Sequence, residues 1–362
     1  MSSPQDTVIV GAGLVTPIGL SLPETAAAAR ARMARLRECD WHDRRFEPYV
    51  VGQVPDEGLP ELLPALAELP LQSREARMLR LAAAAIEEAL APLAHLKPGP
   101  VPLMLGLPEH HTTLPIVPAH FLHRLGLQLP GVLDRDASLA AARGRAAGLS
   151  ALPHASARLA TGAPKYMLVG GVDSLVDPYV LGTLDMEGRI RHGSNSDGFT
   201  PSEGAAMLLL TQAGTAQAHQ LEPLARICAT GQGQEPGHLY ADAPYLGEGL
   251  AAAVAQVFAT DPPPEAPVAS VWCSFNGERY WAREFSVART RETQHFAPAH
   301  ALEHPAECFG DLGAAHGPAL AALAAHALRH RYRPSPCLVL ASSDRGDRAA
   351  SLLAGIAQPG TA

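Results

Sequence analysis

The chain has 362 residues, 47% of them apolar and 18% charged, with 32 Gly and 33 Pro scattered along it; this excludes a small stapled scaffold and a generally disordered polymer. A formal net charge of −8 gives no overall attraction to nucleic-acid phosphate or anionic lipid, so neither nucleic acid nor membrane is an expected partner. The five cysteines are odd in number and contain no CxxC pair, no secretory leader pattern opens the chain, and no run of 18 apolar residues occurs, which together predict a cytoplasmic protein with reduced thiols.

In chain order, residues 7–10 (TVIV) form a β-branched run predicted as a buried strand, with Gly11–Ala12–Gly13 as a tight strand-to-helix turn. Ser21 and Glu24 have the spacing of a capping box, and the alanine-rich stretch 25–35 predicts a helix. A second helix is predicted at 75–90 and a strand at 101–106. Residues 108–133, rich in Pro, His and Gly, read as an extended excursion. The small residues of 144–161 predict a tightly packed helix kinked at Pro153, followed by a strand at 166–169 that ends in Gly170–Gly171, and a further strand at 205–210. Strands at 225–229, 269–273 and 337–341 and a helix at 313–329, whose opening resembles that of the 144 helix, repeat this order. Two related halves, 1–215 and 216–362, forming one layered body are therefore expected.

Several familiar chemistries have no support. A dinucleotide loop at Gly11 and Gly13 needs Gly or Ala where Thr16 stands. His110, His111, His120 and His123 lack a carboxylate or cysteine at ligand spacing, and no GxSxG elbow occurs. Neither a metal nor a cofactor is expected.

Three segments taken together carry a specific resemblance: VIVGAGLVTPIG at 8–19, YMLVGGVDS at 166–174 and SDGFTPSEGAAMLLL at 196–210. In this order the chain resembles the β-ketoacyl synthase branch of the thiolase-like superfamily. The resemblance implies a five-layer αβαβα body of two pseudo-symmetric halves, normally a homodimer, with dimer contacts expected near residues 151–172.

Condensing chemistry requires a thiol activated at a helix N-terminus and two groups that polarise the thioester and stabilise the anion. The family supplies Cys, His and His. At the matching positions this chain has Arg145, Asn276 and Asp311, and the lysine that accompanies the second histidine has no counterpart, since nothing after Lys165 is lysine. His316 falls five residues beyond the second histidine's place and reads as a packing residue. Cys273 and Cys308 read as buried inert thiols. The family's glycine loop near the C-terminus has become a polar stretch around Gly346. Asp197 and Glu203, followed by Gly204, are expected to act as a polar pair holding the loop below the former site.

The resemblance therefore implies a catalytically degenerate homologue, a pseudoenzyme acting as a protein-binding scaffold, adaptor or silent partner subunit. Its partner would be a bacterial secretion accessory, an acyl carrier protein or an active synthase. The alternatives are a working acyltransferase with relocated groups and a protein that binds an acyl chain without chemistry. Arg145 and Asp311 inherit places that converge on one pocket, so an ion pair between them, with Asn276 as third member, is expected to plug it.

Overall fold

The computed structural model describes residues 3–110, 114–193, 195–260 and 266–356. In chain order the elements are β1 (Thr7–Val15), α1 (Leu22–Arg30), β2 (Arg37–His42), β3 (Pro48–Val51), α2 (Pro64–Ala67), α3 (Ser73–Leu90), β4 (Leu103–Leu107), α4 (Pro118–Gln128), β5 (Leu139–Ala142), α5 (Ala147–Ala160), β6 (Tyr166–Ser174), α6 (Pro178–Met186) and β7 (Glu203–Gln212). They continue with α7 (Ala213–Ala218), β8 (Ala225–Gln234), α8 (Glu248–Phe258), β9 (Val268–Cys273), α9 (Arg279–Arg291), β10 (Phe296–Glu303), α10 (Ala306–Phe309), α11 (His316–Arg329), β11 (Cys337–Ser342) and β12 (Asp347–Ala354).

The strand over 7–10 does not stop at Gly11. It runs on to Val15, and the two glycines serve the layer above it: a Cβ at Gly11 would lie 2.3 Å from the Ala89 carbonyl oxygen and one at Gly13 1.9 Å from that of Ala85. Their absent side chains let α3 rest directly on β1, so the tight-turn reading of Gly11–Ala12–Gly13 is corrected. Gly231 and Gly233 on β8 do the same for α8, with the Ala253 and Gly249 carbonyl oxygens each 1.9 Å from the would-be Cβ. The strand at 166 likewise continues through Gly170–Gly171 to Ser174.

Ten strands form one sheet in the order β10-β9-β11-β12-β8-β1-β7-β6-β4-β5. The block β5-β4-β6-β7-β1 and the block β10-β9-β11-β12-β8 have the same internal order, and a short antiparallel pairing of Val8–Ile9 with Ala225–Arg226 joins them. Helices α5 and α11 pack against strands of both blocks, while α3 covers one outer face and α8 the other. This is the five-layer αβαβα arrangement. Three apolar clusters fill the spaces between its layers, and a fourth seats the β2–β3 hairpin on α6.

Two further expectations are corrected. The stretch 108–133 contains a regular helix, α4, which starts at Pro118 and buries Phe121, Leu122 and Leu125. Turn-forming composition masked that apolar stripe, and packing on α3 and β5 prevailed over it. The segment 151–172 cannot supply a dimer strand, because β6 is bordered by β4 on one side and β7 on the other. The free edge of this block is β5.

Candidate functional site: a filled pocket between the two central helices

Each central helix is preceded by a single 3-10 turn that opens on a left-handed glycine: Gly144 (φ 65°) before α5 and Gly313 (φ 53°) before α11. A Cβ on Gly313 would stand 2.1 Å from Asp173 Oδ2, so only glycine allows the turn to sit there. Asp173 Oδ2 in turn accepts the Ala314 N–H at 2.9 Å, and its Oδ1 accepts Arg74 Nη2 at 2.8 Å. These contacts bring the residue after Gly144 and the residue two before Gly313 face to face.

Those residues are Arg145 and Asp311, 4% and 0% exposed. Arg145 Nε donates to Asp311 Oδ1 and Oδ2 at 3.0 and 2.9 Å, and Nη2 donates to Oδ2 as well. The other edge of the guanidinium donates from Nη1 to Asp344 Oδ1 at 2.5 Å. Asp344 also accepts Arg189 Nη1 at 2.8 Å and Nη2 at 3.1 Å, and Arg189 makes a bidentate pair with Glu278, 2.8 Å for each bond. Asn276 Nδ2 closes the ring, donating to Glu278 Oε2 at 3.0 Å and to Asp311 Oδ2 at 2.8 Å. Trp281 Nε1 donates to Glu278 Oε2 at 2.9 Å, and the Trp281 ring lies 5.5 Å from the Arg145 guanidinium. Six side chains from both halves of the chain thus form one closed circuit.

Burial alone would raise the Asp311 and Asp344 carboxyls. The charges of Arg145, joined by His316 at Asp311 and by Arg189 at Asp344, instead hold both well below the usual carboxylate range. Burial would also weaken the two arginines as cations, but their carboxylates keep Arg145 and Arg189 protonated far above the ordinary arginine value. What space remains beside the circuit is a cavity of about 40 Å³, lined by Glu109, Gly144, Arg145, Asp173, Phe199 and Asp344 among others.

Residues 138–216 match the family model for the β-ketoacyl synthase N-terminal domain. No curated protein matches the chain. The whole chain is similar in structure to an acyl-carrier protein complex of a type II polyketide ketosynthase bound to the hexaketide, with a TM-score of 0.78, 16% identity, and coverage of 98% of this chain and 100% of the other. It is similar to the ishigamide ketosynthase/chain length factor (TM-score 0.78, 16% identity, 97% and 99% covered) and to the ketosynthase from module 6 of the Bacillus subtilis bacillaene synthase (TM-score 0.77, 14% identity, 98% and 72% covered). The chain has the thiolase-like ketosynthase fold.

On this ketosynthase fold the five cysteines lie on β2, β8, β9, α10 and β11. Burial raises all five: Cys273 well above the ordinary thiol value, and Cys39, Cys228, Cys308 and Cys337 in the same direction. His316 is more than a packing residue. It is fully buried at the first position of α11, its Nδ1 lies 3.3 Å from Asp311 Oδ1, and its Nε2 has no hydrogen-bond partner among the described residues. Being five residues on from Asp311 placed it outside the pocket in sequence terms; the 3-10 turn between them folds it back.

Asp197 and Glu203 do not form a pair. Glu203 is buried, accepting Arg77 Nη2 at 2.7 Å, Val54 N–H at 2.9 Å and Ser174 Oγ–H at 2.9 Å. Asp197 lies at the surface and accepts the N–H and Nε–H of Arg279, at 2.8 and 2.7 Å, at the start of α9. Gly204 lets β7 approach β1, since a Cβ there would meet the Val15 carbonyl oxygen at 2.6 Å. Gly346 accepts the Glu235 N–H through its carbonyl at 2.8 Å. Sequence reading missed Arg189, Glu278, Asp344 and Glu109. Of these, Asp344 stood in the polar stretch around Gly346 and Glu109 in the excursion 108–133, and neither segment carried a signal for a role in the pocket.

No group of three His, Cys, Asp or Glu among the described residues could hold a metal ion, and His111 lies outside those residues. No helix among the described residues is long and apolar enough to cross a membrane.

Proposed function

We propose that the chain is a non-catalytic β-ketoacyl synthase homologue that acts by binding another protein, as a scaffold, adaptor or silent partner subunit. The observation that carries this reading is the Arg145 guanidinium, bonded to carboxylates on both edges with about 40 Å³ left beside it; on the resemblance, Arg145 takes the place of the family's nucleophile. An arginine so held cannot form a thioester, and an aspartate at the place of the second histidine repels the anion that condensation creates. An acyl carrier protein or an active synthase is the partner class this reading favours, supported by the company of similar structures that include a carrier-protein complex and a ketosynthase/chain length factor.

The halves 1–215 and 216–362 act on this reading as one cytoplasmic body. Homodimerisation is assigned to the β5 edge, a four-residue strand without charge or proline whose outer side is unpaired among the described residues and whose Leu139 is 62% exposed. The test of the whole reading is intact-mass measurement after incubation with acyl-CoA and acyl-carrier substrates. No adduct is expected, and a thioester on any of the five cysteines would transfer the conclusion to an acyltransferase with relocated groups.

A further inference from the structure

Away from the filled pocket, the C-terminal end of α1 faces a second cavity of about 110 Å³, walled by α1, the end of β10, α10 and α11. The cavity opens to solvent and has room for a phosphate or carboxylate group. Its charged rim is unbalanced. Arg333 Nε is tied to Glu303 at 2.5 Å, and Arg30 and Arg32 have no carboxylate within 4.0 Å among the described residues, so the lining sets three arginines against the two carboxylates of Glu303 and Glu307.

Arg30 is oriented for an incoming group. Its guanidinium lies 4.2 Å above the Tyr332 ring, which fixes the plane and leaves its N–H fork open at the edge. Arg32 is held there at a cost in backbone strain. α1 ends in a Schellman motif, with Met33 N–H to Ala28 O and Arg32 N–H to Ala29 O, both 3.0 Å, and Arg32 at φ 53° occupies the left-handed position that glycine normally fills. The dipole at a helix C-terminus accounts for a cation in the last turn at Arg30. Gln220 after α7 and Arg331 after α11 take the same left-handed position, so this ending is common in the chain, and it is the guanidinium of Arg32 on the cavity wall that bears on the site.

We propose that this cavity is a phosphate-binding site, taking a phosphate monoester between the fork of Arg30 and the guanidinium of Arg32. Two guanidiniums on one wall match the several acceptor oxygens of a phosphate better than the two of a carboxylate. The site is independent of the reading of the filled pocket. The test is thermal unfolding and calorimetric titration of the intact protein with inorganic phosphate, acetate and a phosphoserine peptide, each at constant ionic strength set with chloride. Phosphate is expected to raise the unfolding temperature, with acetate weaker; a tighter phosphopeptide assigns the group to a protein partner, and equal affinities assign it to a small molecule. Arg30→Gln and Arg32→Gly should each weaken phosphate binding by about tenfold or more, as loss of a charge-assisted contact does. Arg32→Gly should do so while leaving the phosphate-free protein as stable or more stable, since it relieves the left-handed strain. A response to phosphate no greater than to chloride, or affinities unchanged in both variants, would overturn the site.

Discussion

Arg145 reaches Asp311 with one edge of its guanidinium and Asp344 with the other, so a single cation from the first half bridges two carboxylates of the second. Such a group is stable only as a set. Removing one carboxylate leaves Arg145 buried and half-satisfied, whereas replacing the whole pair by apolar side chains removes the desolvation penalty together with the attraction.

Asp311→Ala is therefore expected to cost about 3–5 kcal/mol, the range for breaking a buried ion pair. Arg145→Met combined with Asp311→Leu should recover much of that loss. Urea denaturation of the three proteins decides it: a double variant no more stable than Asp311→Ala would show that Asn276, His316 and Gly313 depend on the Asp311 carboxylate more than Arg145 does.

Glu203 and Asp197 separate two roles that proximity in sequence had merged. Glu203→Ala leaves Arg77 and the Val54 N–H without their buried acceptor and is expected to cost about 2–4 kcal/mol. The Asp197–Arg279 pair is exposed to solvent, and Asp197→Ala should cost less than about 1 kcal/mol. Equal losses in chemical denaturation would contradict the assignment.

Much of this site was legible in the residues because the family's chemical positions lie in short segments next to strongly patterned strands. Arg145, Asn276 and Asp311 could each be counted from such a strand or helix, and the resemblance, which brings the first and last of them to one pocket, together with the cost of burying an arginine alone, suggested that the arginine and aspartate meet. Arg189 and Glu278 had no such anchor: each enters the circuit from a loop after α6 or β9, where no periodic pattern fixes direction. The fold's glycines were visible but misread, since a GxG that ends a strand and a GxG that admits a helix look alike until α3 is placed on β1.

Glu109 gives the pocket a pH signature. Burial, followed by the charge of Asp344, pushes its carboxyl up to about 7 from an ordinary 4.5. As pH rises through 4.5 the unfolded chain gives up this proton while the folded chain keeps it to about 7, so stability falls across that window, by at most about 3 kcal/mol, and then levels. Asp311 and Asp344 act in the opposite sense, being held low when folded: their contribution is present above the ordinary carboxylate range and is lost on acidification below it. Glu109→Gln should flatten the fall between pH 4.5 and 7 and leave the acid limb intact. A wild-type urea midpoint that does not change between pH 5 and 7.5 would remove Glu109 from this role.

The unpaired outer side of β5 predicts a dimer that depends on that edge. Leu139→Arg places a charge where an incoming strand would bury its neighbour, and should shift the protein to monomer in light scattering at micromolar concentration without loss of folded structure. A dimer unaffected by Leu139→Arg would move the interface elsewhere on the surface.

The sharpest prediction concerns restoration. Arg145→Cys with Asp311→His puts back two of the three family residue types, and if the pocket were an intact site that had lost only those groups, condensing turnover should return. Two features of the circuit argue that it will not. Asn276 still offers an amide where an acid or base is required, and Arg189 still reaches Asp344 and Glu278 through its own hydrogen bonds. With Arg145 gone, Arg189 still meets two carboxylates, Asp344 and Glu278, and both stay buried near the new thiol. Their negative charge would raise the pKa of that thiol and oppose the thiolate. The double variant should fold less well than wild type and form no acyl adduct by intact mass. Turnover in it would mean that the pocket opens far more readily than a closed ring of six bonded side chains allows.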